Sequence, residues 1–409
     1  MKRVLFVAYY FPPLGGIGSI RTVSFAEHLS DFGWEATVLA PRNGAYHRDP
    51  GLAFPETRVI RTGSIELSRA GKQLLRTGGS DTEAASVHGV RQLLKHAVRR
   101  HAYFPDAQIG WYLPAVIRAQ QEIRPGRFDA IFSSSFPVTA HLIARTLRRR
   151  LHVPWVAEFR DPWCARLAQA GTPSRRAERL ERGLAQEADA LVTVSPSWGQ
   201  IFGAAWQRDV SVITNGHDGN TTAAPAPLTD RFTLGYAGTF YPESQDLDAI
   251  WSAAAALDQM LPGVDAIRVI GNRDEALEAR VAACGAGGLL EFTGYLPHAE
   301  VAPELARCTA LVVPGPLRST GIERGWIVAK LFEYLATSRP IIYVGDPETD
   351  AAQLLRGFSG THIVATGDTA AALAALRTAR TEVVVRDASR LSRRALTGGL
   401  AGLLDEACS

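Results

Sequence analysis

Short apolar runs recur along the chain, and between them apolar residues return at the three- and four-residue spacing of helices. In the first half the runs predict strands at Arg3–Ala8, Ala36–Ala40, Ala130–Ser133, Trp155–Glu158, Ala190–Val194 and Val210–Thr214. In the second half they predict strands at Phe232–Tyr236, Ala266–Ile270, Leu289–Phe292, Ala310–Val313, Pro340–Tyr343 and Thr361–Val364. The first of these is apolar on both faces, as a strand of a parallel sheet covered by helices must be. Strands alternating with helical stretches predict βαβ units and an α/β fold. His217-Asp-Gly-Asn-Thr-Thr-Ala-Ala-Pro-Ala-Pro is polar and proline-containing and reads as a linker. The expected architecture is therefore two doubly wound Rossmann-like domains, 1–214 and 215–387, facing across a cleft. A last helical pattern within 388–409 is placed to complete the first domain.

A length of 409 residues suits two cores rather than one, and no apolar run approaches the roughly 20 residues of a membrane span. Lys2 and Arg3 precede an apolar segment, but it ends at Phe11 without a small-residue cleavage site, which argues against an export signal. Cys164, Cys284, Cys308 and Cys408 are widely scattered, which disfavours a disulfide framework or a zinc site and points to a cytoplasmic protein. The net charge of +3 hides an asymmetry: Lys and Arg outnumber Asp and Glu 28 to 18 over residues 1–214 and are outnumbered 16 to 23 over residues 215–409. A basic first half suits an anionic acceptor or membrane surface, and equally suits solvated arginine-rich helices. Residues 88–103, HGVRQLLKHAVRRHAY, form a basic amphipathic pattern that fits either peripheral contact with the inner membrane face or packing on the first domain. No nucleic-acid recognition module is present.

Two stretches carry candidate chemistry. In FPPLGGIG the prolines end the first strand, and Gly15, Gly16 and Gly18 let backbone amides at a helix start approach a phosphate or sugar closely. The GxGxxG spacing of a dinucleotide fingerprint is absent, because position 21 is an arginine. In WIVAKLFEYLA, Lys330 and Glu333 share a helix face. A lysine there suits a diphosphate and a carboxylate one turn later suits a ribose diol, while an ordinary surface ion pair accounts for the same spacing.

The pieces FPPLGGIGSIR, EFRDPW, ADALVTVSPSW, VITNGHD, LGYAGT, LEFTGYLPHAEV and AKLFEYLATSRPII occur in the order seen in the retaining GT-B glycosyltransferases of family GT4 (glycosyltransferase group 1), which includes sucrose synthases and bacterial mannosyltransferases. The resemblance covers nearly the whole chain, with gaps around residues 43–85 and at the linker. It implies transfer of a sugar from a nucleotide-sugar donor to a glycan, lipid-linked or small-molecule acceptor, with retained anomeric configuration and no cofactor or required metal. It further implies that Glu333 holds the donor ribose, that Lys330 lies near the diphosphate, and that Gly15 and Gly16 form the loop beside the donor phosphate. Arg160 and Asp161 match the RDPW segment facing the cleft, and His141 falls in a helix where relatives show a similar pattern; a sugar contact and a core position are both open to it.

The sequence departs from the family pattern twice. Eight positions before Glu333, where a glutamate is usual, stands Gly325, and Glu323 lies two residues out of register. Shortly after the strand at Leu234–Gly238, where relatives often carry Arg and Lys, the chain reads Gly-Thr-Phe-Tyr-Pro-Glu; either Lys330, Arg318, Arg324 or Arg273 substitutes as a donor-phosphate cation, or the helix N-terminus carries more of the load. Asp246-Leu-Asp248 spells a metal-binding DxD, but its place at a helix start predicts a capping role. A nucleotide-sugar 2-epimerase of the same fold and a catalytically silent nucleotide-sugar binding protein are the alternatives.

Overall fold

The computed structural model of the chain describes residues 1–42, 49, 51–65, 103–124, 126–219, 232–260, 264–317 and 320–409. Two units emerge: one comprises Met1–Thr193, Phe202–Ser211 and Thr397–Ser409, the other Val194–Ile201 and Val212–Leu396. The apolar runs form strands because both of their faces are covered. Val4, Leu5, Phe6 and Val7 are all fully buried although their side chains alternate across the sheet.

The first sheet contains β1 (Lys2–Val7), β2 (Trp34–Pro41), β3 (Val59–Thr62), β4 (Ala130–Ser135), β5 (Trp155–Phe159), β6 (Ala190–Thr193) and β7 (Ser211–Val212), in the order β3-β2-β1-β4-β5-β6-β7. Pairing is parallel, with Val4 opposite Ala36 on one side and Ala130 on the other. The second sheet contains β8 (Phe232–Ala237), β9 (Val264–Ile270), β10 (Leu290–Phe292), β11 (Ala310–Pro314), β12 (Ile341–Val344) and β13 (Thr361–Val364), in the order β10-β9-β8-β11-β12-β13. All of its ladders are parallel. The strand order reverses between β1 and β4 in the first sheet and between β8 and β11 in the second, and ligands of open α/β sheets bind beyond the carboxyl ends of strands at such points.

Several expectations change. β3 lies at the edge of its sheet, and its sequence VIRT is too short and too polar to read as a strand, although Ile60 and Thr62 are buried on one face. The strand expected at Val210–Thr214 shortens to Ser211–Val212. His217, expected to open a flexible linker, is 1% exposed and forms an isolated parallel bridge with Ser392, while residues 220–231 lie outside those described. The last helical pattern resolves into a 3₁₀ turn, Ser389–Leu391, and a helix, Arg393–Ala407. From Thr397 onward that helix packs with the first unit: Lys2 donates to Asp405 at 2.7 Å, and a Cβ on Gly398 would lie 3.0 Å from the Phe32 ring. The 88–103 segment, apart from Tyr103, lies outside the described residues, as does Arg318. No helix among the described residues is long and apolar enough to cross a membrane.

The segment Val194–Ile201 belongs to the second unit although sequence places it in the first. Ser197 donates from its amide and its hydroxyl to the Asp350 carboxylate at 2.8 and 2.6 Å, and the Trp198 indole donates to the Ile322 carbonyl at 2.7 Å. This packing explains Gly325. A Cβ there would lie 2.3 Å from Trp198 Cδ1 and 2.8 Å from Ser195 Oγ, so the space that a motif glutamate would need is filled by the SPSW turn. Gly325→Ala is therefore expected to cost about 1–3 kcal/mol by overpacking, read from denaturant unfolding, with a smaller cost when Trp198→Leu is introduced in the same chain. An unchanged midpoint for Gly325→Ala alone would contradict this packing.

Candidate functional site

At the carboxyl end of β1 the chain runs through buried Tyr9 and Phe11 and reaches Gly16, whose φ of 92° suits glycine and turns the backbone into the helix Ile17–His28. Gly16 is exposed and Gly15 partly exposed, so the amides at this helix start are accessible. A Cβ on Gly18 would lie 2.8 Å from Arg160 Nη1. The third glycine of the loop thus makes room for a guanidinium rather than for the turn. Arg160 donates through Nε to the Ser135 carbonyl at 2.8 Å and through Nη2 to the Phe136 carbonyl at 3.4 Å. The glycine loop, the end of β4 and Arg160 therefore meet at the switch point of the first sheet.

Beneath them lies a buried ion pair. Arg21, on the helix that the glycines open, donates through Nη2 and Nε to Glu158 Oε1 of β5 at 2.7 and 2.9 Å, and Ser134 donates to the other carboxylate oxygen at 2.6 Å. Both charged side chains are at most 5% exposed, so each requires the other in place. Sequence reasoning missed this pair: its members stand 137 positions apart, and only the burial of the whole run from Ser19 to Ala26, its arginine included, reveals it.

Asp161 is paired with Arg166 at 2.9 Å; burial raises its carboxyl pKa, an effect that Arg166 and then Arg160 oppose. His141 lies elsewhere. Its ring is fully buried against Phe159, 4.3 Å between centroids, and its Nδ1 shares a 2.8 Å hydrogen bond with the Ser133 hydroxyl. Burial, with a smaller contribution from Arg160, lowers its pKa to about 3, so the imidazole is neutral at physiological pH. Of the two positions the sequence allows for it, His141 occupies the core.

In the second unit, β8 is followed by Gly238, whose amide continues the ladder to the Ile270 carbonyl at 2.9 Å and whose φ is 92°. Lys330 opens the helix Lys330–Leu335 and extends its ammonium over the face of Tyr236, 4.0 Å from the ring centroid. Its Nζ is buried and has no hydrogen-bond partner. A Cβ on Gly238 would lie 3.5 Å from that Nζ, in ordinary van der Waals contact, so Gly238 borders the ammonium on this side. Desolvation lowers the Lys330 pKa from 10.5 to about 7. Tyr334 accepts from the Ala237 amide at 2.7 Å and locks the helix to the end of β8.

Glu333, one turn after Lys330, accepts from Arg393 Nη2 at 2.7 Å, and the same guanidinium pairs with Asp218. Lys330 and Glu333 therefore do not pair with each other, which removes the surface ion-pair reading of their spacing. Arg273 is 77% exposed and is held by Glu278 at 2.5 Å. Asp248 and Asp246 are engaged by Arg280 at 2.8 and 3.5 Å, and Asp246 also accepts from the Asp248 amide, the capping geometry expected of that DxD. Among the described residues no group of three His, Cys, Asp or Glu side chains is arranged to hold a metal ion.

Residues 15–216 match the family of glycosyl transferase 4-like domains, and residues 231–381 match the glycosyl transferases group 1 family. No curated protein matches the chain. Among solved structures, sucrose-phosphate synthase from Thermosynechococcus elongatus is 14% identical with a TM-score of 0.59, covering 99% of each chain. Anabaena Alr3699/HepE, solved in complex with UDP, is 14% identical with a TM-score of 0.60, covering 100% of this chain and 97% of its own. The lipopolysaccharide outer core galactosyltransferase WaaB is 14% identical with a TM-score of 0.56, covering 99% of each chain. With both family matches in chain order and two parallel sheets that each reverse at a glycine-bearing strand end, the chain belongs to the GT-B glycosyltransferases of family GT4, group 1.

Proposed function

We propose that the chain moves a sugar from a nucleotide diphosphate donor to an acceptor hydroxyl with retention of anomeric configuration and without a bound metal. The observation that carries this reading is the Lys330 ammonium, buried, without a hydrogen-bond partner and bordered by a glycine at the switch point of the second sheet. A cation desolvated in this way gains most from an anion that arrives with its own charge, and a diphosphate is such an anion. Glu333, one helical turn on, supplies the acceptor oxygens for a ribose diol, and Gly238 gives the donor its close approach. Gly15, Gly16, Arg160 and Asp161 form the corresponding surface of the first unit, where exposed amides and a guanidinium suit phosphate and hydroxyl groups. Arg273, on the second unit, would have to leave Glu278 to reach a phosphate beside Lys330. Support for a uridine donor comes from HepE, which has been solved with UDP and with UDP-glucose.

In the reaction the bond from the anomeric carbon to the diphosphate breaks as the bond to the acceptor oxygen forms on the same face. The hydroxyl proton passes to the departing phosphate oxygen. Charge accumulates on the leaving group, and the Lys330 ammonium stabilises it. The acceptor is a glycan, a lipid-linked saccharide or a small molecule.

Thermal unfolding with UDP, GDP, ADP and dTDP and their sugars is expected to show one nucleotide that stabilises the wild type, by about 2.7 kcal/mol at 100 times its dissociation constant, and no stabilisation of Glu333→Ala. NMR of the product anomer tests retention: an inverted product rejects the same-face step, and donor binding without turnover across a broad acceptor panel moves the chain to the silent binding class.

The lowered pKa of Lys330 sets a pH dependence. Above about pH 7 the free protein carries a neutral amine, while a bound diphosphate favours the ammonium, so donor binding takes up a proton and weakens as pH rises. Affinity for the nucleotide sugar is expected to fall by about tenfold between pH 7 and pH 8.5 in the wild type and to be weak but flat in Lys330→Met, measured by calorimetry. A flat wild-type profile would place the diphosphate away from Lys330.

A further inference from the structure

Glu333 is not held by its own helix. Its Oε1 accepts from Arg393, a residue 60 positions later whose side chain is only 4% exposed. The guanidinium is clamped from its other end by Asp218, and the Arg393 amide donates to the His217 carbonyl at 2.9 Å. His217 is fixed in turn by its bridge to Ser392 and by a 3.0 Å contact between its Nε2 and the Ala388 carbonyl. A Cβ on the neighbouring Gly216 would lie 2.5 Å from the Leu391 carbonyl oxygen and 3.2 Å from Arg393 Cγ, so the segment before Asp218 is packed without slack against the segment that carries Arg393.

We propose that Arg393 is a positioning residue for Glu333: it fixes one carboxylate oxygen so that the remaining acceptor sites face the two hydroxyls of a donor ribose. The inference rests on the donor reading of Glu333. The physical reason is the planar fork of arginine, which spans two carboxylates at once and holds one oxygen of each at a fixed separation. An ionised glutamate has about four acceptor sites, and one hydrogen bond from Arg393 leaves enough of them for a vicinal diol. Without that bond the carboxylate on a helix of six residues is free to rotate, and its two oxygens no longer present themselves together. Arg393 acts through Glu333 and has no contact with the ligand in this assignment.

The test is calorimetry on the full chain with whichever of UDP, GDP and ADP binds the wild type, together with its 2′,3′-dideoxy counterpart. The wild type is expected to prefer the ribonucleotide by about tenfold or more, and Glu333→Ala to lose that preference. Arg393→Ala is expected to reduce the preference below about threefold, and Glu333→Ala with Arg393→Ala to bind as Glu333→Ala alone does, because the arginine has nothing left to position. Arg393→Lys keeps the charge without the fork, is expected to lose most of the preference as well, and carries the comparison if Arg393→Ala does not fold. A full preference retained in folded Arg393 variants, or a double variant that loses affinity additively, overturns the inference while leaving the donor site standing. A wild type that binds none of the three, or that does not distinguish ribose from dideoxyribose, overturns the donor reading of Glu333 and the inference with it.

Discussion

An ammonium group held out of water with no hydrogen-bond partner is the constraint around which the second unit's site is arranged. Lys330 Nζ has the face of Tyr236 at 4.0 Å and is bordered by Gly238. A cation–π contact returns only a kilocalorie or two of what desolvating an ammonium costs, and the lysine answers the rest with a pKa lowered to about 7, an arrangement in which an arriving anion would favour its charged form. Every nearby structural choice preserves it. Gly238 adopts a φ that a side chain rarely allows, the Tyr236 hydroxyl turns away to the Thr239 carbonyl, and the Tyr334 hydroxyl is occupied by the Ala237 amide. None of these groups quenches the charge.

The first unit uses buried charge differently. Arg21 and Glu158 neutralise each other beneath the glycine loop, and their bond ties the helix that the glycines open to the strand that ends before Arg160. Arg160 then reaches over Gly18 to the carbonyls at the end of β4. One unit holds a buried lysine without a hydrogen-bond partner, and the other uses a paired charge to hold its loop and its guanidinium in register.

Much of this is legible in the sequence because strands buried on both faces are dominated by apolar residues: β11 (ALVVP) and β12 (IIYV) are apolar throughout, while in β1, β2, β4, β5 and β8 polar residues such as Arg3, Glu35, Ser133, Glu158 and Thr233 flank or interrupt the apolar run. Edge strands escape that rule, which is why VIRT at β3 was not recognisable and why β7 was overestimated. Lys330, Glu333 and the glycine loop could be found because local spacing carries them. The Arg21–Glu158 pair and the Arg393–Glu333 contact could not, since they join residues 137 and 60 positions apart and depend on which helix face turns inward. Gly325 was read correctly as a departure from the family motif, but its cause, the Trp198 indole packed into the space of a side chain, lies in a segment whose sequence position assigns it to the other unit.

The central claim is that the second unit's charge and carboxylate together hold one nucleotide diphosphate. A crystal structure with a bound nucleotide sugar tests it most directly. The account predicts diphosphate oxygens within hydrogen-bond distance of Lys330 Nζ, beside Gly238, and the ribose hydroxyls on Glu333. A nucleotide bound with its phosphates away from Lys330, or with its ribose turned from Glu333, would contradict it.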